Sequence, residues 1–206
     1  MAFYLYVSRQ DDDKISIFQM DAATGRLDLQ NEMAVAGGPA AMAVDPQRQF
    51  LYVGCRGVRE ISSYRIDQNS GGLSYAGTAP LEGEPVFLAT DRKGKFVLSA
   101  YYYQAKVAVH PIGEDGVATA PPVEWLTTDS GAHAIQTDPS NRFVFVPHIA
   151  NRAPTQSFNS GSTRPADISL PARHPKSLQK IIWVPATSAF IPAWTFCTFP
   201  TSRGAA

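Results

Sequence analysis

The sequence predicts an all-β protein, an incomplete β-propeller of about three four-stranded blades followed by an irregular tail. Three observations predict it. A motif recurs three times, with Asp45, Asp91 and Asp138 marking its copies at intervals of 46 and 47 residues. Apolar residues within each copy alternate with a period of two, the mark of strands with one buried face, and no stretch shows helical periodicity. The composition then changes abruptly near Pro154. Four short strands per ~45 residues is the arithmetic of a propeller blade.

The elements follow in order. Phe3 to Ser8 and Ile15 to Met20 alternate as strands, and the turn Ala23-Thr24-Gly25-Arg26 leads into a third, Leu27 to Val35. Gly38 to Pro46 opens the next unit, and Glu84 to Arg92 and Ala132 to Pro139 superpose on it. After each Asp comes a polar turn and an apolar run: Phe50-Leu51-Tyr52-Val53, Phe96-Val97-Leu98-Ser99 and Phe143-Val144-Phe145-Val146. Ile61 to Ile66 alternates again, and Asn69-Ser70-Gly71-Gly72 leads into Leu73 to Thr78. With strands lettered a to d outward from the central channel, the segments opened by Pro39, Pro85 and His133 are strand a. The chain then starts at a strand b, so its first blade lacks an inner strand. In a closed ring that strand would come from the C-terminus, because an open ring leaves unpaired edges.

A chain of 206 residues suffices for one large domain or two small ones. Its 18 basic and 18 acidic residues balance, so nothing draws it to nucleic acid or an acidic membrane surface. No apolar run approaches the ~20 residues of a membrane span, and the N-terminus has no basic segment or cleavage site. A soluble cytoplasmic protein is therefore expected. Cys55 and Cys197 provide neither a disulfide framework nor a zinc site. There is no nucleophile elbow, Gly-rich phosphate loop or metal-spaced carboxylate cluster, and Asp11-Asp12-Asp13 reads as a solvated turn. No cofactor is expected, and the oligomeric state is open.

From Pro154 onward one acidic residue, Asp167, stands against five basic ones, Arg164, Arg173, Lys176, Lys180 and Arg203, and seven of the 16 prolines fall there. A disordered extension fits poorly, because Ile181 to Val184 and Trp194 to Phe199 are too apolar for it.

The stretch Leu51 to Arg56, then Ser63 to Ile66, the turn Asp91 to Phe96, and His133 through Pro147 together resemble the seven-bladed propeller lactonases of the bacterial 6-phosphogluconolactonase type. The resemblance covers roughly residues 2 to 153 and stops near Pro154. It implies an enzyme of carbohydrate metabolism that hydrolyses a small-molecule sugar lactone to its acid without a cofactor. It also admits a muconate-type lactonising cyclase, and a non-catalytic binding propeller is the rival from another class.

The family would continue with a strand, a Gly-Pro-Arg-His loop, a Phe-His-Pro strand and a Tyr-x-x-Asn-Glu end. Back-translating the tail and reading it one base earlier restores much of this. Trp183-Val184 forces Gly, Trp194-Thr195 forces Asp, Phe196-Cys197 forces Leu, and Phe158-Asn159 allows only Gln or a stop. Each forced residue lands in register. The expectation is a propeller part over 2–153 and an out-of-frame tail over 154–206 with no evolved fold, the truncated chain being inactive.

Strand direction alternates, so the d-to-a and b-to-c loops share one face and the a-to-b turns occupy the other. The shared face collects His133, Arg56, Tyr101 to Tyr103, and His148 to Arg152. His133 stands where two sibling repeats have proline. It is either a hydrogen-bonded loop histidine or a neutral imidazole at the channel mouth that polarises a carbonyl or activates water, for which an unperturbed value of ~6.5 is suited. The resemblance implies the second. His148 and Asn151 are candidates to orient a sugar acid, against ordinary loop polarity. Arg56 is a candidate for bidentate phosphate binding, against pairing with a local acid such as Glu60. Arg142 falls on the opposite face and reads as structural. The three tyrosines either stack on a sugar or pack between blades. Ester hydrolysis here would be direct attack by activated water, with an arginine or histidine stabilising the oxyanion.

Overall fold

The computed structural model describes residues 3–149 and 180–185. Phe3–Arg9 (β1), Lys14–Met20 (β2) and Leu27–Ala34 (β3) form a three-stranded sheet. Pro39–Val44 (β4), Phe50–Cys55 (β5), Glu60–Ile66 (β6) and Leu73–Pro80 (β7) form a four-stranded one. Phe87–Thr90 (β8), Phe96–Tyr101 (β9), Lys106–Pro111 (β10) and Glu124–Thr127 (β11) form another. A fourth sheet holds Gln136–Thr137 (β12), Phe143–His148 (β13) and Lys180–Pro185 (β14). The architecture is all-β, with two complete blades flanked by two partial ones. Among the described residues the first sheet has three strands, with β1 at its inner edge.

Neighbouring strands in the first three sheets run antiparallel. In the fourth, β12 is antiparallel to β13, but β14 runs parallel to it, from Phe143 opposite Lys180 to His148 opposite Pro185. β14 thus holds the position of a third strand with the direction reversed. The rest of the tail lies outside the described residues.

The blades stack through their apolar faces. Ile15 and Val35 of the first sheet pack on Leu51, Val53 and Tyr64 of the second. Phe50, Tyr52 and Ile61 on the second sheet's other face meet Leu88 and Val97 of the third. Phe96, Leu98 and Val107 then meet Ile135, Val144 and Val146 of the fourth. Each strand b therefore shows one alternate set to the blade before and the other to the blade after, which is why its run reads as continuously apolar. Leu98 is fully buried, and truncating such a residue to alanine typically costs about 2–5 kcal/mol. Tyrosines at these seams place their hydroxyls on backbone acceptors: Tyr6 Oη donates to Gly71 O at 2.9 Å and Tyr52 Oη to Gly116 O at 2.9 Å.

The recurring aspartates build the a-to-b turns. Asp45 Oδ1 accepts the Phe50 N–H at 2.6 Å, Asp91 Oδ1 the Phe96 N–H at 2.9 Å, and Asp138 Oδ1 the Phe143 N–H at 2.9 Å. A second oxygen of each takes the N–H two positions on, from Gln47, Lys93 and Ser140. Each turn contains one left-handed residue, Arg48, Gly94 and Asn141, with φ of 59°, 65° and 58°. The carboxylate supplies acceptors that the tight turn denies to the backbone, which is why the same residue recurs.

Candidate active site

The d-to-a and b-to-c loops converge on one face, opposite the aspartate turns. There the b-to-c loop of each blade touches the entry of the next blade. Between the first and second blades, Asp13 Oδ1 accepts the Gly38 N–H at 2.7 Å. Between the second and third, Arg56 pairs with Glu84 at 3.3 Å. Between the third and fourth, the Tyr102 ring meets the His133 ring edge-on, with centroids 6.1 Å apart and an interplanar angle of 88°. The three joints occupy equivalent places in the repeat and use three different chemistries.

His133 is exposed at the entry of the fourth blade. Its backbone N–H donates to Pro147 O at 3.0 Å, and Gly131 O accepts the Ile149 N–H at 2.9 Å. Gly131 has φ of 84°, and a Cβ there would collide with the Ile149 carbonyl oxygen, so glycine is required for this entry to lie against the end of β13. The backbone of His133 is thereby held while its imidazole projects beside Tyr102. His148 ends β13 and is half-buried, and Ala132 forms an isolated bridge with it. Burial lowers its pKa, with the Asp129 charge and the Val146 backbone opposing, so it stands as a neutral imidazole at pH 7. Asn151 lies outside the described residues.

Arg56 does not pair with Glu60 as its local alternative suggested. Glu60 instead accepts a hydrogen bond from Ser62 Oγ at 3.5 Å, and Arg56 reaches across the seam to Glu84. Arg56 Nε is buried and has no hydrogen-bond partner among the described residues. Asp13 is exposed in its turn, in line with the solvated-turn reading, and in addition ties the first blade to the second. Tyr101 is fully buried, 3.0 Å from Ser99 Oγ and edge-on to Trp125 with centroids 4.8 Å apart, so it packs within its blade. Tyr103, in contrast, is 74% exposed. Arg142 sits in the turn on the far face, its guanidinium 5.5 Å from the centre of the Phe143 ring.

A cavity of about 290 Å³ lies between the inner strands, lined by Met42, Val44, Phe87, Thr90, Arg92 and Thr137. It is at the aspartate-turn end of those strands and holds none of the candidate residues. Among the described residues, no group of three His, Cys, Asp or Glu side chains is gathered for a metal ion. Sequence reasoning placed these loops on one face, but named Glu84 only within Gly83-Glu84-Pro85 and Tyr102 only within its run, and paired neither with its partner. The signal was available: Arg56 and Tyr102 are 46 residues apart, as are Gly38 and Glu84, so aligning the repeats would have paired the loops.

The family model described as lactonase, 7-bladed beta-propeller, matches residues 2–88 and 60–150. A 6-phosphogluconolactonase of Pectobacterium carotovorum is 39% identical over 143 residues, covering 69% of this chain and 42% of that protein. A 6-phosphogluconolactonase of Yersinia pestis is 38% identical over the same length and coverage. The periplasmic gluconolactonase of Pseudomonas aeruginosa superposes with a TM-score of 0.64 at 22% identity, over 72% of this chain and 47% of its own. The chain thus spans about two fifths of the length of the curated relatives it matches.

Proposed function

The chain belongs to the seven-bladed β-propeller lactonases, and from that membership we propose that it is the N-terminal part, residues 2–153, of a sugar-lactone hydrolase of the 6-phosphogluconolactonase kind. The single observation that carries the reading is His133, exposed at the entry of the fourth blade, its backbone tied to Pro147 and its ring against Tyr102. His133 takes a proton from the attacking water. Water adds to the lactone carbonyl carbon, the ring ester C–O bond breaks, and the ring oxygen leaves as the hydroxyl of the acid, receiving a proton. Arg56 takes the phosphate with the donors that Glu84 does not engage, and His148 and Asn151 orient the sugar hydroxyls. The reaction uses no cofactor, and its setting is the cytoplasm. Among the described residues no helix is long and apolar enough to cross a membrane.

The same proposal makes residues 154–206 an out-of-frame translation and this chain inactive. A strand in the third-strand position that runs parallel to β13 is in keeping with it. The test is to resequence the gene at the Pro154 codon, shift the frame by one base, and assay the product on 6-phosphogluconolactone. A shifted frame that runs through several further ~45-residue units and yields lactone hydrolysis is expected. An early stop, or native peptides matching Trp183 to Arg203, refutes the frame; a full-length product that leaves the lactone untouched refutes the activity.

A further inference from the structure

One loop on the candidate face carries a side chain that the reaction above leaves unused. The third blade is complete and has a blade packed on each side, so its b-to-c loop, residues 102–105, has both neighbours in place. Ala105 takes the left-handed conformation with φ of 51°, and its carbonyl accepts the Thr128 N–H at 2.8 Å. Gln104 lies against the entry of its own blade, where a Cβ on Gly83 would come within 2.9 Å of its Cδ. Tyr101 is buried, and Tyr102 leans on His133. Tyr103 is left facing outward, 74% exposed, its ring edge-on to Tyr102 with centroids 5.2 Å apart and an interplanar angle of 81°.

A lone exposed aromatic needs no explanation. Tyr103 is not alone, because Tyr103, Tyr102 and His133 follow one another through edge-on contacts that hold its ring near the imidazole. Nor does the repeat call for an aromatic there: at successive intervals of 46 residues before it stand Gly57 and Asp11. A tyrosine offers a large rigid face at small entropic cost, apolar in its body and wet at its tip. A closed sugar-lactone ring presents C–H bonds along one face and packs on such a surface as a unit. The open-chain acid must freeze several torsions to make the same contact, and that ordering cost offsets it.

We propose that Tyr103 is the sugar-ring platform of the candidate site: the ring of the lactone stacks on its exposed face, so the site prefers the closed lactone to the open acid it becomes. The identity of the ligand rests on the hydrolase reading. The platform itself is within the 206-residue chain, and binding to it requires no turnover.

A ligand-observed nuclear magnetic resonance titration of the 206-residue chain tests it with two probes that carry the same phosphate. Glucose 6-phosphate is a closed ring with no ester to hydrolyse, and 6-phosphogluconate is the open chain, so any contribution of Arg56 is common to both. Binding of glucose 6-phosphate is expected, weakened about tenfold by Tyr103→Ala and kept within about twofold by Tyr103→Phe, which retains the ring face. Binding of 6-phosphogluconate should change less than about twofold in either variant. If alanine disturbs the far-ultraviolet β spectrum, Tyr103→Leu takes its place, with the same loss expected because it too lacks a flat face. No binding of glucose 6-phosphate overturns the proposal, as does binding that the alanine and leucine variants leave unchanged. Equal losses for the two probes overturn the preference for a ring, and a loss with Tyr103→Phe equal to that with alanine makes the hydroxyl, not the ring face, the contact. A frame-restored protein that leaves the lactone untouched refutes the hydrolysis and not the platform.

Discussion

The two ends of the strands solve the same problem in opposite ways. At the a-to-b end one device recurs, an aspartate gathering the backbone N–H groups of its own turn in Asp45, Asp91 and Asp138. At the other end the backbone geometry recurs but the side chains differ: Asp13 with Gly38, Arg56 with Glu84, Tyr102 with His133. A constant side chain in a repeat reports a constant structural demand. A side chain that varies at a constant place is free for chemistry, and the candidate site is on that end.

The largest effect that could break this contrast is on catalysis. In the frame-restored protein, His133→Ala should lower kcat/KM by ~10²–10⁴ with the melt nearly unchanged, while Arg142→Ala on the aspartate end stays within a few-fold. Equal losses in steady-state assays would mean that the two ends do not divide the work.

Stability should show the reverse order. Asp91 is buried and accepts the N–H groups of Lys93, Lys95 and Phe96 and the Asn141 side-chain amide. Asp91→Ala strands these donors and should cost about 3 kcal/mol by urea unfolding. Exposed Asp13, with a single N–H at Gly38, should cost below about 1 kcal/mol. Comparable losses would contradict the constant demand on the aspartate turns.

Acid sharpens the picture between and at the ends. Burial lowers the pKa of His110, in the third blade's interior, from 6.5 to about 4, the Thr119 backbone opposing. The unfolded chain therefore binds the proton first, and stability present above pH 6.5 should fall as pH drops toward 4. His110→Gln should flatten the melting temperature across that window. At Asp138 burial raises the pKa, but hydrogen bonds from Ser140, Phe143 and Arg142 outweigh it and hold the carboxyl at about 2. Its contribution is present above the ordinary carboxylate range and is lost as pH falls toward 2, so a further decline confined to that lower window is expected in the same melts.

The smallest effect belongs to the Arg56–Glu84 pair, whose side chains are 29% and 39% exposed. A double-mutant cycle should give a coupling of at most about 1 kcal/mol in stability, since solvent screens such pairs. A larger coupling would make this joint structural and weaken the case for Arg56 as a phosphate ligand.

Most of the fold was legible in the sequence because its signals are local. Alternation shows in any six residues, and each Asp acts on N–H groups within five positions of itself. The left-handed positions Arg48, Arg59 and Ala105 left no mark, since none of them is a glycine.

What the amino-acid sequence determined by itself was the repeat, its strands and the face on which His133, Arg56 and His148 gather. Only the tertiary structure decided that Arg56 answers to Glu84, that His133 leans on Tyr102, and that Tyr101 is buried beside His110 while Tyr103 is out in solvent. The physical reason is range: a strand and its turn are governed by neighbours in the chain, whereas a seam between blades is governed by residues one repeat away, whose approach depends on how each sheet packs on the next.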